Sequence, residues 1–174
     1  MQDDITQSQD ASWMLEALNL ARSAQYRTRP NPAVGCVIVK DGQIIGRGAT
    51  ALVGGSHAEV FALAQAGEYA NGATAYVTLE PCAHYGRTPP CAEALVKAKI
   101  ARVVIAILDP NPLVAGKGQQ ILQDAGIETT VGILEKESLE LNQGFMKVMS
   151  GGLPYVRLKL AASLDGRTAM ASGE

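Results

Sequence analysis

The chain has 174 residues, of which 18% are charged and 47% hydrophobic, with 18 Gly and 8 Pro. This composition is that of an ordinary globular protein and excludes collagen, coiled coil and wholesale disorder. Fifteen basic against seventeen acidic residues give a formal net charge of -2, so the basic excess of nucleic-acid-binding proteins is missing. No apolar run reaches the roughly 20 residues that span a bilayer, and the acidic N-terminus is unlike a signal peptide. We expect a cytoplasmic protein with no nucleic-acid and no membrane partner.

Short apolar runs alternate with helical patterns between residues 10 and 150. Two prolines end the first helical pattern, and Asp41-Gly42 predicts a tight hairpin turn. The predicted elements are, in chain order, a helix over 11–26, strands over 34–40 and 43–49, a helix over 57–69, a strand over 75–79, a helix over 91–99, a strand over 102–108, a helix over 117–125, a strand over 127–133 and a helix over 135–149. A hairpin followed by repeated β-α units predicts an α/β protein, a three-layer α/β/α sandwich with a mixed five-stranded sheet.

Residues 151–174 differ from the rest of the chain. They open with Gly151-Gly152-Leu153-Pro154, which is typical of a linker, and a new strand pattern begins over residues 155–161. So short a segment cannot bury a core of its own. We therefore predict one domain over residues 1–150, followed over 151–174 by a linker and the truncated start of a second domain.

The cysteines and histidines suggest a metal site. Three cysteines, an odd number, argue against a disulfide framework. Zinc prefers nitrogen and sulfur ligands, and His57 with Cys82 and Cys91 would leave a fourth tetrahedral position open, as a catalytic site requires. A closed structural site would recruit His84 or Cys36, and the sequence leaves that alternative open. For Cys36, which lies in an apolar run, a small buried hydrophobe is the simpler interpretation.

Glu59 follows His57 by two positions at the start of a predicted helix. Because two thiolates neutralise the charge of zinc, water at such a site is acidified less than at a three-histidine site. A nearby carboxylate is then needed to accept the water proton and return it to a substrate nitrogen. Alternatively, Ser56 and Glu59 form a capping box. His-Ala-Glu with a later Pro-Cys and Cys matches the signature of zinc deaminases, with the gap between the cysteines widened from two residues to eight.

The motifs of residues 12–150 resemble the deaminase half of the bifunctional deaminase–reductases of riboflavin biosynthesis, within the cytidine deaminase-like superfamily. The widened cysteine segment, filled with His-x-Gly-Arg-Thr-Pro-Pro, separates this branch from cytidine and tRNA-adenosine deaminases. The resemblance is carried by Asn31-Pro32-Ala33-Val34-Gly35, His57-Ala58-Glu59-Val60, Thr78-Leu79-Glu80-Pro81-Cys82-Ala83-His84-Tyr85-Gly86-Arg87-Thr88-Pro89-Pro90-Cys91 and Asp109-Pro110-Asn111-Pro112.

The resemblance implies zinc-dependent hydrolytic deamination of 2,5-diamino-6-ribosylamino-4(3H)-pyrimidinone 5′-phosphate to 5-amino-6-ribosylaminouracil 5′-phosphate and ammonia. It implies that Glu59 is the catalytic acid and base, and that a small phosphorylated pyrimidinone is the partner. Since the family tends to form oligomers, it also suggests a homo-oligomer. The implied Zn²⁺ ligands are His57, Cys82 and Cys91, and the implied substrate-binding residues are Asn31, His84, Arg87, Asp109 and Asn111.

The residue types suit these roles, and each also has a simpler interpretation. An arginine such as Arg87 binds phosphate with two parallel hydrogen bonds, although a surface loop would place it in solvent. The Asn31 amide suits a pyrimidinone edge, and between two prolines it also suits a turn. Asp109 and Asn111 follow a buried strand, where α/β sheets place ligand groups, but the neighbouring prolines also fit a turn.

The tail, Leu158–Ala169, resembles the opening of the family's NADPH-dependent reductase domain. The sequence ends at Glu174, so we expect NADPH only where that domain is present, and no reductase activity here. Two other functions remain as alternatives to the riboflavin precursor. One is a deaminase of a nucleoside, nucleotide or tRNA. The other is a zinc-stabilised binding module without catalysis, which would need four protein ligands.

Overall fold

The computed structural model describes residues 2–85, 89–111, 114–169 and 172. None of the helices in these ranges is long and apolar enough to cross a bilayer. The elements, in chain order, are α1 (Gln2–Ala24), β1 (Gly35–Lys40), β2 (Gln43–Ala49), α2 (Ala58–Ala66), a 3₁₀ helix (Gly67–Ala70), β3 (Thr74–Val77), α3 (Cys91–Lys97), β4 (Arg102–Ile105), α4 (Lys117–Asp124), β5 (Glu128–Val131), α5 (Glu135–Leu141) and α6 (Gln143–Met149).

The five strands form one sheet in the order β2-β1-β3-β4-β5. Strand β1 is antiparallel to both β2 and β3, whereas β3, β4 and β5 are parallel to one another. The β1–β2 hairpin turns at Asp41 and Gly42, whose φ angles of 51° and 73° are the left-handed pair that a two-residue hairpin favours. The predicted mixed five-stranded sheet is confirmed.

Helices cover both faces of the sheet, because side chains along each strand alternate between the faces. Helix α1 packs on one face, where the buried cluster consists of Met14, Ala17, Leu18, Val37, Val39, Tyr76, Val104 and Ala106. Helices α2, α3, α4 and α6 contribute to the cluster on the other face, which includes Cys36, Ile38, Ala58, Ala62, Ala75, Val77, Ala92, Leu95, Val103, Ile105, Leu122 and Met146. The three-layer sandwich predicted from the sequence is therefore confirmed.

Several predicted boundaries are wrong. Helix α1 begins at Gln2 rather than residue 11, and the helix predicted over 135–149 is divided at Asn142. The strand predicted over 155–161 is absent: residues 152–163 have no regular secondary structure, and Leu158 is 79% exposed. A strand is stabilised by hydrogen bonds to a neighbouring strand, and no described strand pairs with this segment, so alternating apolar residues alone do not order it.

A partly buried ion pair anchors α1 to the sheet. The Asp10 carboxylate, on a residue that is 3% exposed, accepts hydrogen bonds from Arg102 Nη1 at 2.9 Å and Nη2 at 2.8 Å. The Tyr76 hydroxyl donates to the same carboxylate at 2.8 Å. Since Tyr76 lies on β3 and Arg102 on β4, this network joins the helix to two neighbouring strands.

Removal of this acceptor should cost much of the stability of the fold. We expect Asp10→Ala to lower the free energy of unfolding by about 2–3 kcal/mol, because the Tyr76 hydroxyl loses its acceptor and Arg102 keeps only Glu128 and Thr130 as partners. Urea unfolding followed by circular dichroism measures the change. The control is Glu16→Ala, on the exposed side of α1, which should stay within about 0.5 kcal/mol of the wild type. A loss of less than about 1 kcal/mol for Asp10→Ala would contradict the expectation.

Candidate active site

Three backbone segments meet at one edge of the sheet. Strands β3 and β4 are parallel, so the residues that follow their carboxyl ends, up to Cys82 and Asp109, lie side by side. The start of α2 reaches the same edge because Gly48 on β2 has no side chain. A Cβ added at Gly48 would lie 1.9 Å from the Ala58 carbonyl oxygen, so only glycine lets α2 approach this closely. The residue before α2 is His57.

The three predicted metal ligands are close together. The ligand atoms of His57, Cys82 and Cys91 all lie within 4.8 Å of one another. The Nδ1 atom of His57 is 3.2 Å from Cys91 Sγ and 3.6 Å from Cys82 Sγ. The Cys91 backbone N–H, in the first turn of α3, donates to Cys82 Sγ at 3.2 Å. Helix starts thus place two of the ligands, and the segment after β3 places the third.

This donor set fits zinc. Zinc prefers imidazole nitrogen and thiolate sulfur, and tetrahedral zinc with ordinary bond lengths holds N and S roughly 3.6 Å apart. The observed separations of 3.2 and 3.6 Å are close to that value. Among the described residues, the group that could hold a metal comprises these three side chains alone, and neither His84 nor Cys36 belongs to it. The alternative of a closed four-ligand site therefore has no support in that part of the chain.

Contacts within the cluster change the pKa values of its members. A hydrogen bond from the Cys91 thiol lowers the pKa of Cys82 to about 4, and the same bond together with burial raises the pKa of Cys91. The hydrogen bond with Cys82 raises the pKa of His57. Cys82 is thereby prepared as a thiolate, the form in which cysteine binds metal. Cys36 lies apart in β1, where burial raises the pKa of its thiol.

Glu59 lies beside this cluster in the first turn of α2. It is only 3% exposed, and burial raises the pKa of its carboxyl group to about 7. The N-cap position of α2 is occupied by His57 rather than Ser56, and no side chain caps the helix there. The capping-box alternative for Ser56 and Glu59 is therefore wrong. Glu59 instead contributes to the wall of a cavity.

This cavity has a volume of about 200 Å³. It gathers most of the side chains that the sequence singled out, although they come from four separate parts of the chain. Cys91 is fully buried and joins the site through His57, and Arg87 lies outside the described residues. The predicted site residues that line the cavity are Asn31, His57, Glu59, Cys82, His84, Asp109 and Asn111.

The cavity also depends on three residues to which the sequence analysis assigned no role, namely Asn142, Glu80 and Phe145. Asn142, between α5 and α6, accepts a hydrogen bond from the Ala33 N–H and donates one to the Ala33 carbonyl, both at 2.9 Å. This pair fixes the segment that carries Asn31. Glu80 and Phe145 line the cavity directly. A charged residue directly after an apolar strand was a usable signal for Glu80, whereas nothing in the sequence pattern distinguished Asn142.

Comparison with known proteins identifies the family. The family described as "Cytidine and deoxycytidylate deaminase zinc-binding region" matches residues 7–107, more than half of the chain. The chain belongs to this family of zinc-binding deaminases. Membership confirms the predicted zinc cofactor and the cytidine deaminase-like fold, and the matched region contains the histidine, the glutamate and both cysteines described above.

Within the zinc-binding deaminases, the similarity to riboflavin biosynthesis proteins is high. The riboflavin biosynthesis protein RibD of Haemophilus influenzae is 62% identical over 167 residues, which are 96% of this chain and 45% of that protein. The structure of Acinetobacter baumannii RibD, form 2, has 68% identity and a TM-score of 0.91, and covers 97% of this chain and 48% of its own. The chain thus spans a little under half the length of these relatives.

A solved structure from Thermotoga maritima carries the two activities in its name, diaminohydroxyphosphoribosylaminopyrimidine deaminase and 5-amino-6-(5-phosphoribosylamino)uracil reductase. It shares 40% identity with this zinc-binding deaminase and has a TM-score of 0.90. The match covers 97% of this chain and 49% of that structure. The resemblance drawn from the sequence motifs to the bifunctional deaminase–reductases is confirmed.

Proposed function

We propose that the chain catalyses hydrolytic deamination of 2,5-diamino-6-ribosylamino-4(3H)-pyrimidinone 5′-phosphate in riboflavin biosynthesis. Water replaces the 2-amino group of the ring, which leaves as ammonia, and 5-amino-6-ribosylaminouracil 5′-phosphate is the product. The single observation that supports this most is one cavity in which Glu59 lies beside the cluster of His57, Cys82 and Cys91. The identity to riboflavin biosynthesis proteins favours this substrate over cytidine or deoxycytidylate.

In this proposal His57, Cys82 and Cys91 hold the zinc ion. When bound, zinc supplies a Lewis acid that lowers the pKa of water. Three protein ligands are the number typical of catalytic zinc, whereas structural zinc takes four. The backbone N–H of Cys91 holds the Cys82 sulfur in place through a hydrogen bond of 3.2 Å, so the two sulfur ligands are positioned together.

Glu59 moves the protons of the reaction. Its carboxylate accepts a proton from the attacking water and donates it to the nitrogen that leaves as ammonia. The residue is 3% exposed and is held in the first turn of α2, which keeps its carboxylate at a fixed position beside the ligand cluster. Proton transfer by a fixed, desolvated group needs little reorganisation as charge develops.

The remaining polar side chains of the cavity bind the substrate. The Asn31 amide offers both donors and an acceptor to the pyrimidinone edge, and His84, Asp109 and Asn111 complete the polar lining. Burial raises the pKa of the Asp109 carboxyl group. Arg87, outside the described residues, is assigned to the 5′-phosphate because a guanidinium binds phosphate oxygens in pairs.

The domain organisation, the oligomeric state and the cellular location belong to the same proposal. Residues 1–150 form the deaminase domain, and residues 151–174 form a linker with the start of a reductase-like sequence. We assign no NADPH site to this chain, because NADPH belongs to the reductase domain of the bifunctional proteins. A homo-oligomer in the cytoplasm, with the phosphorylated pyrimidinone as its small-molecule partner, stays a prediction.

Ammonia release from three candidate substrates tests the proposed function. The zinc-loaded protein is given the pyrimidinone phosphate, deoxycytidylate or cytidine, and kcat/KM is measured for each. We expect the pyrimidinone phosphate to be preferred by about 10²-fold or more, because buried polar groups reject substrates that leave them unpaired. Preference for cytidine or deoxycytidylate would contradict the substrate. Zinc binding without ammonia release from any of the three would support the non-catalytic zinc module instead.

A further inference from the structure

The Glu80 side chain is buried beside the cavity, and the proposed reaction does not use it. The residue is 4% exposed. Its Oε2 atom accepts hydrogen bonds from the backbone N–H groups of Asp109 at 3.1 Å and Gly116 at 3.0 Å. Its Oε1 atom accepts from Gly118 at 2.9 Å and Gln119 at 3.2 Å. Four charge-assisted hydrogen bonds replace the lost hydration of the carboxylate and fix its orientation.

The four N–H groups lie at the start of one loop, at its end, and in the first turn of the helix that follows it. Asp109 lies at its start, after β4, and Gly116 lies at its end, before α4. Gly118, in the first turn of α4, packs so tightly that an added Cβ would lie 1.9 Å from the Pro81 carbonyl oxygen. Both ends of the loop are therefore held against the segment that runs from Glu80 towards the metal ligands.

Two cavity-lining side chains, Asp109 and Asn111, lie on this loop. The Asn111 N–H donates to Asp109 Oδ1 at 2.8 Å, which fixes these two residues relative to each other. That bond does not connect them to the ligand cluster. The Glu80 side chain provides a connection, because it lies two residues before Cys82 and accepts the Asp109 N–H.

We propose that Glu80 is a positioning residue that sets substrate affinity, because it fixes the positions of Asp109 and Asn111 relative to Cys82. The inference rests on the proposed function, because it takes Asp109 and Asn111 as substrate-binding residues. Glu80 itself contacts the loop backbone rather than the reacting atoms. Its effect should therefore be on the fit of the substrate, more than on proton transfer.

The substitution Glu80→Gln tests the hydrogen bonds of the carboxylate, because it removes acceptors while a side chain of the same size stays buried. Glutamine has almost the same shape, but it keeps one acceptor oxygen and places an NH₂ donor against two backbone N–H donors. One pair of N–H groups, Asp109 with Gly116 or Gly118 with Gln119, then loses its acceptor, while the sheet and the ligand cluster keep their contacts. The matched control is Glu68→Gln, the same chemical change at an exposed residue of the 3₁₀ helix.

We expect zinc-loaded Glu80→Gln to bind its metal and to show KM raised by about 10–100-fold, since small misplacements of binding groups have effects of this size. The change in kcat should be smaller than the change in KM. A merely structural role would give the opposite pattern, because a lower fraction of folded protein reduces apparent kcat and leaves KM unchanged. The Glu68→Gln control should match the wild type in both parameters.

Amide hydrogen exchange gives a readout that does not depend on activity. In Glu80→Gln, protection should fall by about tenfold or more at the N–H groups of one pair, Asp109 with Gly116 or Gly118 with Gln119. Protection of the β1 amides should remain as in the wild type. If Glu80→Gln does not fold, Glu80→Asp replaces it, since the shorter carboxylate withdraws from the same donors, and KM must again rise.

A double-mutant cycle with Asn111→Ala tests whether Glu80 acts through the loop. The increase in KM caused by Glu80→Gln should be much smaller in the Asn111→Ala background, because residues in one network are not additive. Full additivity, or an unchanged KM in a folded Glu80 variant of an active protein, would overturn the inference alone. A wild-type protein that does not turn over the pyrimidinone phosphate would instead overturn the proposed function, and the inference with it.

Discussion

A Glu59→Gln variant should keep its zinc and lose almost all deaminase turnover. The amide has the size of the carboxylate but cannot accept a proton from water or return one to the leaving nitrogen. Proton transfer by a positioned side chain contributes about 10²–10⁴-fold to rates, so we expect kcat to fall by a factor in this range. Ammonia release from the pyrimidinone phosphate measures turnover, and elemental analysis of the same sample measures zinc.

The control for this substitution is again Glu68→Gln, which makes the same chemical change on the surface and should leave both measurements unchanged. Zinc content matters for the interpretation, because Glu59 lies beside the ligand cluster and is not one of its members. Turnover within about tenfold of the wild type would exclude Glu59 as the main proton carrier. Loss of zinc from Glu59→Gln would mean that its carboxylate supports the metal.

The substitution Cys91→Ala should remove zinc, whereas Cys36→Ala should not. Both cysteines are fully buried, so the two variants lose the same atoms from equally inaccessible positions. Only Cys91 has its sulfur within reach of His57 and Cys82. We expect about one zinc per chain in the wild type and in Cys36→Ala, and less than about a tenth of that in Cys91→Ala.

Thermal unfolding with and without added zinc gives a second measurement for this pair. A metal that binds only the folded state stabilises it by mass action, so zinc should raise the midpoint for the wild type and for Cys36→Ala. The midpoint of Cys91→Ala should respond little. Equal zinc contents in the two variants would show that the metal lies elsewhere in the chain.

The fold was predictable where local patterns have a single interpretation. The Asp41-Gly42 turn fixed the hairpin, and strict alternation along β1 distributed its side chains between the two cores. The break at Asn142 was not predictable, because the apolar periodicity continues through it and the helix divides only where Asn142 turns to bond with Ala33. In the tail, the alternating pattern over residues 155–161 predicted a strand that does not form, because no described strand pairs with it.

The candidate site was predictable to a different extent for different residues. The proposed catalytic residue Glu59 and the proposed substrate-binding residue His84 follow from residue type, spacing and the resemblance, and the structure brings both to one cavity. Glu80 and Asn142 act on backbone groups that are 29 to 39 and 109 positions away in sequence, respectively. No local pattern contains such partners, because the folded chain alone determines which N–H groups come within reach.

The two hydrogen bonds between Asn142 and Ala33 also bear on where this chain can be shortened. The family match ends at residue 107, yet the wall that carries Asn31 is fastened by a side chain at position 142 and completed by Phe145. A fragment that keeps this cavity intact must therefore extend through α6, well past the end of the family match.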